Sequence, residues 1–453
     1  MKTIVILTAV ICALHMKAPG QVLSQADEDF LKEQARRITN SALLPAGGSS
    51  GKWSNTTPYD VHVPGGNMGY PAYWIRDAVM MLGGDFISSG ELEGWIRFIS
   101  GTLKGPEDWH IRPGVTVPAY SVPDHINFDG KPIFYPGFYD SDIKQGGDPW
   151  GKYPPLDDNF YFITAVYEHW KMTECVLLFT STVKTSFSEE SIADICEKVY
   201  RVSPTDSATG LVVAGDVKTE NAKDWGFCDV EFKSGMLLFP SVLKYVAAVQ
   251  LAQLFEASGQ APKAKLYRDD SARIKAALSR TFFHPSQNGD EGWLHSATGV
   301  GNQPDVWGSA FAVYSGAVDT SVARKVACAL VRAFREKTGV KQGCVRQILT
   351  TDRLNNGGWE QSFAKAGAYQ NGGYWGTATG WYVYAIHTVD PKAAVEMAGD
   401  YVKFLRENMR PDGMTQAWEW FNPDTGENNN PLYVATIALP YLSLKKAGIL
   451  NAH

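Results

Sequence analysis

Residues 70–82, YPAYWIRDAVMML, decide how the chain is read. The pattern predicts one helix, apolar on almost every side apart from Arg76 and Asp77. A helix that is hydrophobic all round belongs inside a large protein or a membrane. Burying a charge there is costly unless it is paired and hydrogen-bonded. Neighbouring helix positions point about 100° apart, so the two side chains cannot neutralise each other face to face. Either each has a structural partner elsewhere, or both project into a polar pocket that this helix walls.

The same kind of segment recurs along the chain. Apolar, aromatic helices are predicted in PLDDNFYFITAVYEHWKM, in the long run after DWGFCD, and in PDVWGSAFAVYSGA, GYWGTATGWYVYAIHTV and NPLYVATIALPYLSLKKAG. Between them lie charged, amphipathic ones: SGELEGWIRFISGTL, residues 188–201, PKAKLYRDDSARIKAALSRTFF, SVARKVACALVRAFRE and PKAAVEMAGDYVKFLRENM, with ADEDFLKEQARRITNSAL at the start. Alternating strands are nearly absent. Such alternation suits an inner ring of helices wrapped by an outer ring, six hairpins closed in a circle: an all-α, (α/α)6 barrel. A right-handed solenoid of helical pairs is the competing architecture, but no fixed sequence period supports it. No linker marks a second domain, so residues 21–453 read as one barrel domain. Residues 104–153 are long, Pro/Gly-rich and aperiodic, the signature of a functional loop.

The 453 residues are 44% hydrophobic and 20% charged, a globular composition, with 14 Trp. Most of those indoles are expected in the core. The net charge of -6 without a basic cluster argues against nucleic acid and anionic membranes. Residues 1–20 read as a signal peptide, with Lys2, an apolar run and APG, which places the protein outside the cell or in a periplasm. The run is short for a membrane span, and no later segment reads as apolar for long enough to make one, so no membrane insertion is expected. Ile11 is too bulky for Cys12 to sit in a lipidation box. The remaining cysteines, Cys175, Cys196, Cys228, Cys328 and Cys344, are scattered and odd in number. Buried thiols are expected, although Cys175 and Cys196 could bridge. The histidines show no metal-ligand spacing, and HExxH, paired CxxC, P-loop and nucleophile-elbow motifs are missing, so neither metal nor cofactor is expected.

In a helical barrel the loops entering the inner helices converge at one end. Four sites lie there. The first is Trp74, Arg76 and Asp77; the second is KDWGFCD, with Asp224, Trp225 and Asp229 opening the long apolar helix. The third is GAYQNGGYWGTATGW, with Tyr369, Gln370, Asn371 and Trp375; the fourth is AWEWFNPDTGE, with Trp418, Glu419 and Trp420. Carboxylates and amides beside indoles have the chemistry to hold a sugar, oxygens meeting hydroxyls and ring faces meeting C–H surfaces. Cleaving a glycosidic bond takes two carboxyl groups, one giving a proton and one activating water or attacking. Convergence brings Asp229 and Glu419 within reach of that pairing. Each acid also has a plainer reading: Asp224 as a helix cap, Asp229 as a first-turn residue favoured by the helix dipole, Glu419 as a loop acid.

These motifs resemble the six-hairpin glycosidases, the (α/α)6-barrel group that includes glucoamylases, debranching glucosidases and disaccharide phosphorylases. YWIRDAVMML is similar to the Arg-Asp helix with which glucoamylases grip the terminal sugar, which implies that role for Arg76 and Asp77. EWFNPDTGE is similar to the stretch carrying their general base, which implies Glu419. PLDDNFYFITAVYEHW resembles their Gln-x-Asp helix and brings in Asp157 and Asp158 at Leu156-Asp157-Asp158; YQNGGYW resembles a segment beside the sugar. Glucoamylases place their acid directly after a Trp, where this chain has Gly226, and the phosphorylases use Asp-Trp-x-Asp. DWGFCD is two residues longer, so Asp229 is the first choice for the acid and Asp224 the reserve. The resemblance implies a secreted, inverting, exo-acting glycoside hydrolase on a carbohydrate substrate. A sugar phosphorylase, an unsaturated-uronide hydrolase or lyase, and an inactive sugar-binding protein are the alternatives.

Overall fold

The computed structural model describes residues 23–67, 69–82, 86–134, 145, 154–220 and 226–450. The proposed signal peptide at 1–20, and Asp224 and Trp225 of the second site, lie outside them.

Twelve helices carry the architecture, alternating in chain order between an outer and an inner ring. They are α1 (Gln25–Ser41), α2 (Ile75–Met80), α3 (Ser89–Thr102), α4 (Asp158–Thr173), α5 (Ile192–Val199), α6 (Leu238–Ala257), α7 (Ala261–Phe282), α8 (Val306–Tyr314), α9 (Thr320–Arg335), α10 (Thr379–His387), α11 (Pro391–Glu407) and α12 (Ala438–Ala447). The even-numbered helices form the inner ring. α2 packs on α4, α4 on α6, α6 on α8, α8 on α10 and α10 on α12. The 3-10 turn Val434–Thr436, which leads into α12, packs back on α2 and closes the circle. The odd helices lie outside: α1 on α12, α3 and α5 on α4, α7 on α6, α9 on α8, and α11 on α10. The fold is therefore the all-α six-hairpin barrel.

Local chemistry fixes the helix ends. Ser88 and Glu91 form a reciprocal capping box on α3, which satisfies two otherwise orphaned N–H groups. Asp390 caps α11 through Ala393 N, and Pro391 occupies a first-turn position where no N–H is missed. Gly448, at φ 70°, ends α12 in the left-handed conformation. The inner helices bury residues all round their circumference, whereas the outer ones bury a single stripe. In α8 everything from Val306 to Val313 is buried; in α9 only Val326, Ala327, Ala329, Leu330, Ala333 and Phe334 are.

Three expectations change. The 70–82 stretch is not one helix: Ala72–Trp74 is a strand paired with His125–Asn127, and the helix begins at Ile75. Pro71 has no N–H for a helical ladder, and the aromatic pair Tyr73-Trp74 suits a pleated surface. The long apolar helix starts at Leu238, so Asp229 sits in an irregular loop and the helix-dipole reading of it falls. That helix, Leu238–Ala257, is also long and apolar enough by composition to cross a membrane, contrary to expectation, but it is packed as a core element with 78% of its apolar window buried. Among the described residues no cysteine forms a disulfide: Cys196, Cys228 and Cys344 are buried, Cys328 is half-buried and Cys175 is exposed.

Candidate active site

The loops that enter the inner helices meet at one end of the barrel, and there the charges of the opening stretch find their partners. Arg76, in the first turn of α2, donates from Nε to Asp157 Oδ2 at 2.6 Å and from Nη2 to Asp157 Oδ1 at 2.9 Å. Nη2 also reaches Asp158 Oδ2 at 3.3 Å, and Nη1 lies 3.6 Å from Asp124 Oδ1. Asp157 is the N-cap of α4 and Asp158 its first residue, so one helix start supplies two carboxylates to one guanidinium. Asp157 Oδ2 also accepts the N–H of Phe227 at 3.1 Å, which ties Arg76 to the loop carrying Asp229. Asp77 takes a hydrogen bond on Oδ1 from the Tyr433 hydroxyl. Burial raises the Asp77 carboxyl to about 6, with Tyr433 and Arg76 pulling the other way.

Asp124 and His125 come from the long aperiodic loop through the strand paired with Ala72–Trp74. Asp124 Oδ2 accepts from His125 Nδ1 at 2.8 Å, and the imidazole stacks on the Trp74 indole with centroids 4.5 Å apart. Trp74 remains half-buried.

Glu419 is 4% exposed, in the segment ahead of α12. Tyr70 donates its hydroxyl to Glu419 Oε2 at 2.7 Å, and Asn430 donates Nδ2 to the same oxygen at 2.6 Å. Oε1 takes no hydrogen bond among the described residues. Burial pushes this carboxyl up to about 7; its two donors lower it, and the charges of Asp77 and Asp229 raise it again. Asp229 is also raised to about 7, first by burial, with Arg76 opposing and Asp124 adding. Its Oδ1 is buried without a hydrogen-bond partner among the described residues. Asp77 and Asp229 are thus each close enough to act on Glu419, and all three act on the Tyr369 hydroxyl.

The backbone is strained around this point. Phe227 (φ 74°), Tyr369 (48°), Ala417 (41°) and Asn430 (44°) hold left-handed conformations that cost non-glycine residues energy. Each lies in a segment that supplies or supports a carboxyl.

Other expected binding residues stand behind the site. Asp157 and Asp158 are fully buried under Arg76. Gln370 and Asn371 are 2% and 3% exposed and spend their amides on the protein: Gln370 on the loop 227–230, Asn371 on Trp359 N and Ala364 O. Trp375 is fully enclosed among Phe227, Trp307, Tyr369 and Tyr433, with Nε1 donating to Tyr369 O, so it offers no ring face to a ligand. Trp420 is buried and Trp418 half-buried against the core. Sequence reasoning missed Tyr70, Asp124, His125, Asn430 and Tyr433. Asn430 stands in the polar run NNNP, and Tyr70 at the head of the opening stretch, where neither carries a motif of its own. No group of three metal-binding side chains occurs among the described residues.

No protein-family model and no curated protein matches the sequence. Solved structures do. A glycoside hydrolase family 15 glucoamylase from Hypocrea jecorina is 14% identical, with 94% of this chain and 73% of that one aligned at a TM-score of 0.56. A glucoamylase from Saccharomycopsis fibuligera is 11% identical over 95% of this chain and 97% of its own, at 0.55. A glycosidase variant in complex with glucose is 13% identical over 95% and 100%, at 0.52. At such identities likeness speaks for architecture: the chain has the six-hairpin, (α/α)6-barrel fold on which these glucoamylases are built.

Proposed function

We propose that the chain is a secreted glycoside hydrolase that removes a terminal sugar with inversion, Asp229 acting as general acid and Glu419 as general base. One observation carries the reading: two carboxyls from distant segments, both pushed up to about 7 by burial, lie at the end of the barrel where the inner-helix loops converge, near enough for the Asp229 charge to act on Glu419. The glucose complex among the similar structures supports a sugar ligand. Exo action and inversion rest on the glucoamylase resemblance of the Arg76-Asp77 helix and of the Glu419 segment, and secretion on residues 1–20.

In the forward step the Asp229 carboxyl gives its proton to the glycosidic oxygen as the bond to the anomeric carbon breaks. The leaving group departs as an alcohol. Water attacks the opposite face of that carbon while Glu419 Oε1, the oxygen not held by Tyr70 and Asn430, accepts the water's proton. The product is a hemiacetal of opposite configuration, and exchange with solvent resets both carboxyls. Arg76, Asp77 and the Trp74 ring orient the terminal sugar.

Assigning the acid to Asp229 also has steric support. By the motif resemblance Gly226 stands where glucoamylases carry their acid, and a Cβ there would lie 2.4 Å from Pro240 Cδ. A glutamate cannot enter without moving α6. Among the described residues Arg76 is already engaged by Asp124, Asp157 and Asp158, which speaks against its pairing with an anionic substrate. That disfavours both phosphorolysis and a uronide substrate.

The pH profile tests the pair. Activity needs Glu419 ionised and Asp229 protonated, so kcat/KM is expected to be bell-shaped and centred near pH 7. Asp229→Asn should abolish the alkaline limb along with most of the activity. A profile flat from about pH 5 to 9, or an alkaline limb that survives the substitution, would overturn the assignment.

A further inference from the structure

The loop that carries Asp229 is irregular; a single antiparallel bridge, Glu231 to Ser362, ties its far end, and around Asp229 itself Gln370, from the segment ahead of α10, meets the backbone groups. Its Oε1 accepts the N–H of Asp229 at 2.9 Å and that of Val230 at 3.3 Å. Its Nε2 donates to the carbonyl of Phe227 at 2.7 Å. A single side chain thus holds both flanks of Asp229, including Phe227 in its left-handed conformation. Gln370 is itself fixed, since its own carbonyl accepts from Trp359 Nε1 at 3.1 Å, and the next residue, Asn371, accepts from Trp359 N at 2.8 Å. Other anchors include the Phe227 N–H on Asp157 Oδ2 at 3.1 Å, Cys228 Sγ donating to Gln347 Oε1 at 2.8 Å, and Phe363 N donating to Val230 O at 3.2 Å, but none of these holds the backbone of Asp229 itself.

We propose that Gln370 is the positioning residue of the proton donor, aiming the Asp229 carboxyl at the glycosidic oxygen without touching the sugar. The inference rests on the reading of Asp229 as the acid. At 2% exposure, with Oε1 doubly occupied, Gln370 has little left to offer a ligand. A network of three bonds to one short loop acts on direction, and small misplacements of a reacting group cost about 10²-fold in rate. Gln370 also lowers the proton affinity of Asp229, against the burial that raises it.

A merely structural role and a positioning role separate by leaving group. An alcohol leaving group needs the proton from Asp229, whereas fluoride leaves without it. Gln370→Leu is expected to lower kcat on an oligosaccharide by roughly 10–100-fold with KM within about 3-fold, and to lower turnover of the matching glycosyl fluoride by no more than about 3-fold. Equal losses on both substrates, or none on either, would overturn the proposal. Gln370→Glu keeps the acceptor for both N–H groups and loses the donor, so it should show a milder form of the same split; it serves if the leucine variant does not fold. A second readout needs no turnover. The Asp229 carboxyl, followed by 13C NMR and assigned with Asp229→Asn, should titrate at higher pH in Gln370→Leu than in the wild type. An unchanged midpoint contradicts the role of Gln370. A wild-type protein that cleaves no glycoside while this midpoint moves would instead sink the hydrolase reading and leave the positioning of Asp229 standing.

Discussion

Glu419→Gln is expected to lower kcat about 10²–10⁴-fold while KM stays near that of the wild type, because the variant keeps its shape and loses proton acceptance. The same change should make the protein more stable at pH 8. Glu419 goes from its ordinary 4.5 to about 7 on folding, so the folded state holds the proton more tightly than the unfolded chain does. Such a group contributes stability below about 4.5 that is lost as pH rises through about 7. At pH 8 the ionised, buried carboxylate costs on the order of 3 kcal/mol, and glutamine removes that cost while still accepting from Tyr70 and Asn430. The gain in melting temperature at pH 8 should vanish at pH 4. A residue that served packing alone would lose stability and leave kcat untouched. Activity within a few-fold of wild type would remove Glu419 from the mechanism.

The charges at the head of α2 divide in two. Arg76 is held by Asp157, Asp158 and Asp124, and Asp157 in turn holds the Phe227 N–H. Arg76→Met strands three buried carboxylates, so a destabilisation of about 3–5 kcal/mol is expected, read as a lower denaturant midpoint. Asp77→Asn is different, since the amide oxygen can still accept from Tyr433. It should melt near the wild-type temperature and bind the product sugar roughly 10–100-fold more weakly, the effect of losing a charge-assisted hydrogen bond worth about 1.5–3 kcal/mol. A large drop in melting temperature for Asp77→Asn with unchanged affinity in the folded fraction would make Asp77 a structural partner of Tyr433 and nothing more.

Much of this was legible in the chain itself. Helices apolar all round, alternating with striped ones, are a local property of each segment, and they announce two concentric rings. Arg76-Asp77, Asp229 and Glu419 stood out because acids beside apolar helices are conspicuous. What stayed hidden depends on distant partners. Ala72–Trp74 became a strand because His125–Asn127 pairs with it, and nothing within 70–82 reports that pairing. Asp124 came from an aperiodic loop, where the absence of a period conceals which residue faces inward. Tyr70 and Asn430 matter only because they converge on one oxygen of Glu419. Trp375 shows the opposite error of reading: an indole in a sugar-like motif is equally good core, and only its enclosure by Phe227, Trp307 and Tyr433 decides.

Asp229 and Glu419 are proposed to hydrolyse a glycosidic bond at the end of the barrel where the inner-helix loops converge. Proton NMR of the first sugar released from a panel of neutral oligosaccharides, followed from mixing for the wild type and for Glu419→Gln, tests it most directly. A free terminal sugar is expected to appear in the anomeric configuration opposite to that of the bond cleaved, with the signal lost in the variant. Release with retained configuration, release that persists in Glu419→Gln, or no release from any member of the panel would contradict it.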